Sequence, residues 1–254
     1  MVPLISIKNV TKRFGDLTAV KDISLDIFDG GILSIIGPNG AGKTTFFKLL
    51  TGFLKPDSGH IYLKGENITN LPPYEIVKRG LSLSFQIPSL YDDMTVQDNV
   101  SVGIQSFRGY KSNLFSPFKD NRDIHQEALK ILQRVRLIEI KNQIVRNISH
   151  GDRKLLDIGM SLTADPKLLL LDEPTSGLSG QERDNVVNLI IGDLSKAIKL
   201  VIVEHDMDIV FNISEQILVL NRGAVLALGT PNEISRNPEV QGSYLGGDSR
   251  DVGA

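Results

Sequence analysis

The segment Gly37 to Thr45, GPNGAGKTT, carries the strongest structural signal in this sequence. It matches the pattern G-x-x-x-x-G-K-[ST] and lies between an apolar, β-branched run, ILSII, and a run that favours a helix, TTFFKLL. Glycines let the backbone approach an anion closely, and the N–H groups and dipole of a helix N-terminus favour negative charge. The sequence therefore predicts a buried strand, a phosphate-binding turn and a helix, in that order.

The whole turn is expected to bind the phosphates of a nucleotide. Lys43 is expected to reach the β- and γ-phosphates, and the Thr44 hydroxyl to coordinate Mg²⁺. The predicted phosphate-binding residues are Gly37, Pro38, Asn39, Gly40, Ala41, Gly42, Lys43, Thr44 and Thr45.

Composition and charge narrow the class of protein. The 254 residues are enough for one large or two modest domains, and 28 Lys and Arg against 30 Asp and Glu leave a net charge of −2. This balance gives no general attraction to nucleic acid or anionic lipid. Cysteine is absent, which excludes disulfides and thiolate metal sites. We expect no signal peptide or membrane span, so that work at a membrane would depend on partners.

Hydrophobic periodicity changes twice along the chain. Alternating runs at 4–10 and 19–27 predict antiparallel strands ahead of the phosphate-binding turn. Strand patterns then give way to helical periodicity, and a β/α alternation returns later in the chain. We therefore predict an α/β nucleotide-binding core with an antiparallel β subdomain, residues 1–86 and 167–254, and an inserted helical subdomain, residues 87–166.

A second acidic signal follows the apolar run LLLL at 168–171. Asp172 is predicted at the carboxyl end of a buried strand, where ligands bind in open α/β sheets, and it would help to hold Mg²⁺. Glu173 is then placed to polarise the water that attacks the γ-phosphate. Two acidic residues after a strand are weak evidence for function by themselves. Their occurrence together with the phosphate-binding turn favours a functional site.

Three further side chains are candidates for the nucleotide site because of their positions in the predicted strands. His205 ends the predicted strand VIVEH, where an imidazole can donate to the γ-phosphate or the water; a histidine at a core edge is the alternative. Gln86 ends the strand LSLSF and could touch both Mg²⁺ and the water, or be a solvated loop residue. Phe14 could stack on adenine or belong to the core.

The segment ISHGD at 148–152 predicts a second helix N-terminus. Ser149 is a natural N-cap, and Asp152 stands three residues later, as in a capping box. The segment could simply start a well-capped helix. It could also bind phosphate through Ser149 and the N–H of Gly151.

Together these motifs resemble the ATP-binding subunit of ABC transporters over nearly the whole chain. GPNGAGKTT resembles the Walker A loop, LLLLDEP the Walker B strand, Gln86 the Q-loop and ISHGD the signature motif. SGLS at 176–179 resembles the D-loop, EHD at 204–206 the H-loop, and KRFG the adenine-stacking loop. The resemblance implies a P-loop NTPase core that binds ATP and Mg²⁺, with Lys43, Gln86, Glu173 and His205 as catalytic residues.

The family also implies partners. Two ATP-binding subunits would dimerise head to tail, each ATP lying between one Walker A loop and the other signature helix, and movement would pass to transmembrane permease subunits at the cytoplasmic face of the cell membrane. The segments FGDLTAVKDIS, VEHDMDIV and GTPNEISRNPEVQGSYLGG are similar to the branched-chain amino acid importer group, which implies a related paralogue as second subunit and, indirectly, a solute-binding protein. No nucleic acid is expected.

The chain departs from the family pattern at three positions. His150 and Asp152 replace residues of the usual LSGGQ signature, and Ser179 stands where the D-loop usually has Asp. The motif ISHG is also similar to that of urea importers, so that a urea or amide importer subunit is an alternative. A soluble ABC ATPase, such as an iron–sulfur assembly factor, is a further alternative.

Overall fold

The computed structural model describes residues 2–84, 90–108 and 122–245. The strands within these ranges begin with a long hairpin and continue as short segments. They are β1 Ile5–Phe14, β2 Leu17–Ile27, β3 Ile32–Ile36, β4 Ser58–Leu63, β5 Glu66–Asn67, β6 Leu81–Ser84, β7 Leu168–Asp172, β8 Lys199–Val203, β9 Gln216–Asn221 and β10 Ala224–Gly229.

Most of the helices lie in connections between strands, and the last two follow the last strand, β10. The α-helices are α1 Lys43–Leu50, α2 Pro73–Lys78, α3 Val96–Arg108, α4 Arg122–Arg134, α5 His150–Leu162, α6 Gly180–Leu189, α7 Met207–Ile213, α8 Pro231–Arg236 and α9 Pro238–Leu245. A π-helical turn, Ile190–Leu194, continues α6. In the described ranges we find no helix with the length and apolar character that crossing a membrane requires.

Two sheets organise the described part of the chain. Four antiparallel strands form one sheet in the order β2-β1-β4-β5. Six strands form the other in the order β10-β9-β3-β8-β7-β6, in which only the β10–β9 pairing is antiparallel. The central strands β3 and β8 are buried at every residue, as parallel strands covered on both faces should be.

Apolar cores cover both faces of the six-stranded sheet. One core joins the antiparallel sheet and α1 to this sheet and contains the fully buried Phe46. The other packs helices α3 to α6 against it, with Leu132 and Leu156 fully buried. Because both faces are covered, polar side chains reach a common site only where strands end, at their carboxyl edge.

The predicted fold class is confirmed: a mixed sheet is flanked by helices and joined to an N-terminal antiparallel sheet. The helical periodicity expected after the strands is confirmed at α4, where Ile124, Ala128 and Leu132, and Val135 just after the helix, recur at helical spacing and are buried. Three α-helices and two short 3-10 helices, Ile138–Ile140 and Val145–Asn147, occupy the described part of the predicted helical subdomain, 87–166. The division into two domains at 86 and 167 stays a prediction.

Candidate nucleotide-binding site

The predicted phosphate-binding turn joins the end of β3 to the start of α1. The ammonium group of Lys43 donates to the carbonyl oxygens of Gly37 (2.7 Å) and Pro38 (3.1 Å). These bonds hold the turn around the Lys43 side chain. The first backbone N–H groups of α1 have no acceptor within the helix and are available to bind an anion.

Two glycines of this turn are required by close packing. A Cβ atom at Gly37 would lie 2.2 Å from the carbonyl oxygen of Leu220, and one at Gly42 would lie 2.3 Å from the carbonyl oxygen of Ala19. Gly42 also has φ 101°, which L side chains rarely adopt. The glycine spacing that identified the motif is thus needed to pack the turn between the hairpin and β9.

An open cleft of about 660 Å³ lies over this turn. Its walls come from the first hairpin, the turn itself, the ends of β7 and β8 and the β9–β10 turn. The lining residues are Phe14, Leu17, Thr18, Ala19, Asn39, Gly40, Ala41, Gly42, Lys43, Thr44, Thr45, Glu173, His205 and Arg222.

Phe14 stands at the hairpin wall with 48% of its surface exposed, which removes the alternative of a core phenylalanine. Lys12 lies 5.6 Å from the centre of its ring. A cation so placed holds the ring by a cation–π contact and leaves ring surface open to the cleft.

One wall of the cleft, which no sequence motif indicated, is formed by Leu17, Thr18, Ala19 and Arg222. The N–H of Gly223 donates to the carbonyl of Ala41 (3.0 Å), and the N–H of Lys21 donates to the carbonyl of Gly223 (2.7 Å). These bonds fix the β9–β10 turn against both the phosphate-binding turn and the hairpin. No local pattern marks Arg222, because its place in the cleft depends on packing between distant segments.

Asp172 ends β7, as predicted, Glu173 follows it, and the structure brings Glu173 to His205. The Nε2 of His205 lies 2.7 Å from Oε1 of Glu173; since a carboxylate only accepts, Nε2 carries the hydrogen. Glu173 has φ 46°, a left-handed conformation that is uncommon and costly for a residue with a side chain. Its backbone N–H is fixed by the carbonyl of Val203 at 2.9 Å.

Charges at the cleft influence one another. Burial raises the pKa of Asp172, and the neighbouring Glu173 carboxylate raises it further. Burial lowers the pKa of Lys43, against the opposing pull of Glu173 and Asp172. Two carboxylates and a buried cation therefore share a small volume, and an added divalent cation would relieve the repulsion between the carboxylates.

The second predicted phosphate-binding segment starts α5 outside this cleft. Ser149 is the N-cap, as predicted, and its Oγ accepts from the N–H of Asp152 at 3.0 Å. The N–H of Gly151 donates to the Glu182 carboxylate at 3.0 Å. Glu182 also closes a capping box with Ser179 at the start of α6. The sequence reading did not anticipate this link between the signature segment and the D-loop segment.

The structure thus groups most of the predicted site residues, but not all. Gly37 accepts from the Lys43 ammonium group, Pro38 lines a smaller neighbouring cleft, and Asp172, the last residue of β7, is not among the residues that line the main cleft. Ser149 and Gly151 do not line the cleft. Gln86 lies outside the described residues. The roles of these side chains in binding and catalysis stay predictions.

Comparison with known proteins agrees with this geometry. The family model for ABC transporters matches residues 20–176, and a model named branched-chain amino acid ATP-binding cassette transporter matches residues 224–249. The chain belongs to the ABC transporter family, as an ATP-binding and ATP-hydrolysing subunit.

Its relatives include subunits of one transport group. LivG of Escherichia coli strain K12, a high-affinity branched-chain amino acid transport ATP-binding protein, is 38% identical over 96% of this chain and 98% of its own length. BraF of Pseudomonas aeruginosa, of the same description, is 36% identical over 96% of this chain and 98% of its own length.

Solved structures show the same architecture. The ADP conformation of MJ1267, an ATP-binding cassette of an ABC transporter, is similar with a TM-score of 0.84 and 30% identity, over 97% of this chain and all of that one. The dimeric post-hydrolysis state of MJ0796, bound to ADP and Pi, gives a TM-score of 0.74 and 25% identity over 89% of this chain and 98% of that one.

Proposed function

We propose that this chain powers import of branched-chain amino acids by hydrolysing ATP in the cleft over residues 37–45. The observation that carries this proposal is the Glu173–His205 pair, 2.7 Å apart at the edge of a cleft that the phosphate-binding turn also lines. The similarity to LivG and BraF, and the C-terminal match at 224–249, support the choice of solute.

The cleft residues divide the work. Phe14 offers ring surface for the adenine, and the N–H groups at the start of α1 face the phosphates, with Lys43 beneath them. Glu173 acts as general base on the attacking water, and His205 holds that carboxylate in position. Gln86 is proposed to contact both Mg²⁺ and the attacking water.

The residues present fit Mg²⁺. This ion takes few protein ligands and keeps waters and phosphate oxygens for the rest of its shell. The hydroxyl of the exposed Thr44 and the Asp172 carboxylate are suitable oxygen ligands, and the bound cation would oppose the burial and the Glu173 charge that raise the pKa of Asp172. Mg²⁺ would neutralise the charge that develops on the phosphates during cleavage.

A second ATP-binding subunit is part of the proposal. Ser149 and Gly151 do not line the cleft of their own chain, so that their predicted contact with a phosphate requires the nucleotide of a neighbour. We expect this neighbour to be a related paralogue, as the resemblance to the importer group implies. Loss of the γ-phosphate would then remove the bias towards the closed pair.

The permease subunits are proposed to dock in a groove of about 380 Å³ between α2, β6, α3 and α5. Its lining mixes polar and apolar side chains, among them Tyr74, Leu83, Phe107 and Met160. Tyr74 is 63% exposed, as expected of a side chain that a partner covers. The permease subunits would hold the chain at the cytoplasmic face of the membrane. They would themselves receive the solute from a binding protein.

The decisive experiment uses the transporter reconstituted with its permeases. Glu173→Gln should keep ATP affinity while ATP turnover and leucine uptake fall by at least about a hundredfold, as loss of a general base does. Calorimetry and radiolabelled uptake measure these two quantities.

Two outcomes would count against the proposal. Unchanged turnover in the Glu173→Gln transporter would reject the role of Glu173. ATP-dependent uptake of urea, with no uptake of leucine, would reject branched-chain amino acids as the solute. It would favour the urea importer that the ISHG motif suggests as an alternative.

A further inference from the structure

Glu204 is a buried carboxylate directly behind the catalytic pair. It directly follows Val203, the last residue of β8, and precedes His205, and only 4% of its surface is exposed. A carboxylate in such a place is costly unless its oxygens receive hydrogen bonds. An apolar residue would be the simplest way to extend β8, so that the charge calls for an explanation.

The carboxylate accepts three hydrogen bonds from two segments. Its Oε1 accepts from the backbone N–H of Thr175 (3.0 Å) and from the Thr175 hydroxyl (2.7 Å). Its Oε2 accepts from the backbone N–H of His205 (3.2 Å). Thr175 is itself buried. Glu204 therefore ties the segment that follows Glu173 to the segment that carries His205.

This tie matters because the backbone at Glu173 is strained. Glu173 has φ 46°, and such a conformation persists only where surrounding bonds hold it. In one such bond, the N–H of Glu173 donates to the carbonyl of Val203 (2.9 Å). The Glu204–Thr175 bonds hold the chain two residues further on. Both anchors belong to the end of β8, beside His205.

We propose that Glu204 is a positioning residue for ATP hydrolysis. By fixing Thr175, it holds the Glu173 side chain against His205 and in line with the attacking water. This inference rests on the proposed role of Glu173, and it assigns Glu204 no contact with nucleotide, metal or water. Misplacement of a reacting group by about 1 Å can cost about a hundredfold in rate, so that an indirect role of this kind is measurable.

Glu204→Gln tests the link with little change in shape. A glutamine has one acceptor oxygen, and its NH₂ group would face either the Thr175 donors or the His205 N–H. We expect kcat of the reconstituted transporter to fall by about tenfold to a hundredfold, while KM and ATP affinity by calorimetry stay within about twofold. Thr175→Val should lower kcat in the same way, and Thr175→Ser, which keeps the hydroxyl, should restore it.

Glu233→Gln is the matched control. Glu233 also accepts from the backbone N–H and the hydroxyl of one threonine, Thr230, but at the start of α8. We expect its kcat to stay within about twofold of the parent. A general effect of losing a carboxylate with this bonding pattern would instead appear in both variants.

A double variant separates positioning from a general loss of structure. If Glu204 acts through Glu173, single-turnover hydrolysis by Glu173→Gln/Glu204→Gln should be no slower than by Glu173→Gln alone. A kcat of Glu204→Gln within twofold of the parent, or a further tenfold loss in the double variant, would overturn the inference and leave the proposed function standing. Full turnover in Glu173→Gln would remove both.

Discussion

At the scale of single residues, the Glu182 carboxylate has an unusual set of donors. It accepts from the N–H of Gly151 (3.0 Å) and from the N–H (3.1 Å) and hydroxyl (2.7 Å) of Ser179. These bonds lower the pKa of Glu182 to about 2, and the largest cause is the Ser179 hydroxyl. Hydrogen bonds to the charged form favour ionisation, so that Glu182 should stay charged in acid that protonates an ordinary glutamate.

A pH titration tests this contact. Because the folded-state pKa lies below the ordinary value of 4.5, the contribution of Glu182 to stability is complete above about pH 4.5 and is lost as the pH falls through about 2. We expect the ¹³C signal of its carboxyl group to show no titration above about pH 3. Ser179→Ala should move the pKa upwards, because it removes the largest cause of the shift.

Titration of Glu182 near its ordinary pKa in the parent chain, with no change in Ser179→Ala, would contradict the bonding described above. The sequence reading singled out Ser179 as a departure from the family but gave it no partner. A capping box joins residues three apart and is visible in sequence, whereas the bond from Glu182 to Gly151 spans 31 residues and depends on how α5 and α6 pack.

At the scale of elements, α5 begins where its sequence says it should. Ser149 lies in an extended conformation and caps the helix through the N–H of Asp152. The predicted second half of a capping box, from the Asp152 side chain, is not seen among the described bonds. A single cap of this kind is expected to contribute about 1 kcal/mol to helix stability.

Ser149→Ala should therefore lower the free energy of unfolding by about 1 kcal/mol, within a range of about 0.5–2 kcal/mol, because one N–H of the first turn loses its acceptor. Ser149→Gly is the matched variant, since glycine at this position costs only a few tenths of a kcal/mol. Urea unfolding measures both. Equal stability of Ser149→Ala and the parent would show that solvent replaces the cap.

Elements with strong local signals were predictable from the sequence. The runs ILSII and LLLL are apolar enough to become buried central strands, and the motif between ILSII and TTFFKLL fixed the turn beside them. The C-terminal helices α8 and α9 were not predicted, although Thr230-Pro231-Asn232-Glu233 is a visible capping box with proline at its first helical position. That signal would have located α8.

At the scale of the whole molecule, two concave surfaces stand beside one sheet. The larger cleft lies over the phosphate-binding turn, and the groove lies where β6 meets α2, α3 and α5. The strand β7 ends in Asp172 and pairs with β6, so that the acidic edge of the cleft and the floor of the groove belong to neighbouring strands.

Tyr74→Ala tests the groove as the docking site for permeases. Removal of its exposed ring should lower recovery of permease subunits from detergent-solubilised membranes by about tenfold, because aromatic side chains often dominate such contacts. ATP affinity should be unchanged. Phe28→Ala is the control, since Phe28 is an exposed aromatic residue outside the two surfaces described here.

Equal recovery of permeases by Tyr74→Ala and Phe28→Ala would place docking elsewhere on the chain. Lower recovery together with weaker ATP binding would point instead to damage that spreads from the groove to the cleft.

The bond between Gly151 and Glu182 has a consequence for assembly under the proposed function. One amide hydrogen cannot bond two acceptors at full strength. A neighbour's phosphate that binds the N–H of Gly151 would therefore displace the Glu182 carboxylate that accepts from it here. The free energy that this N–H contributes to phosphate binding is then only the difference between two similar hydrogen bonds. Subunits built in this way would come apart easily after cleavage, because the displaced side chain is tethered nearby and returns without delay.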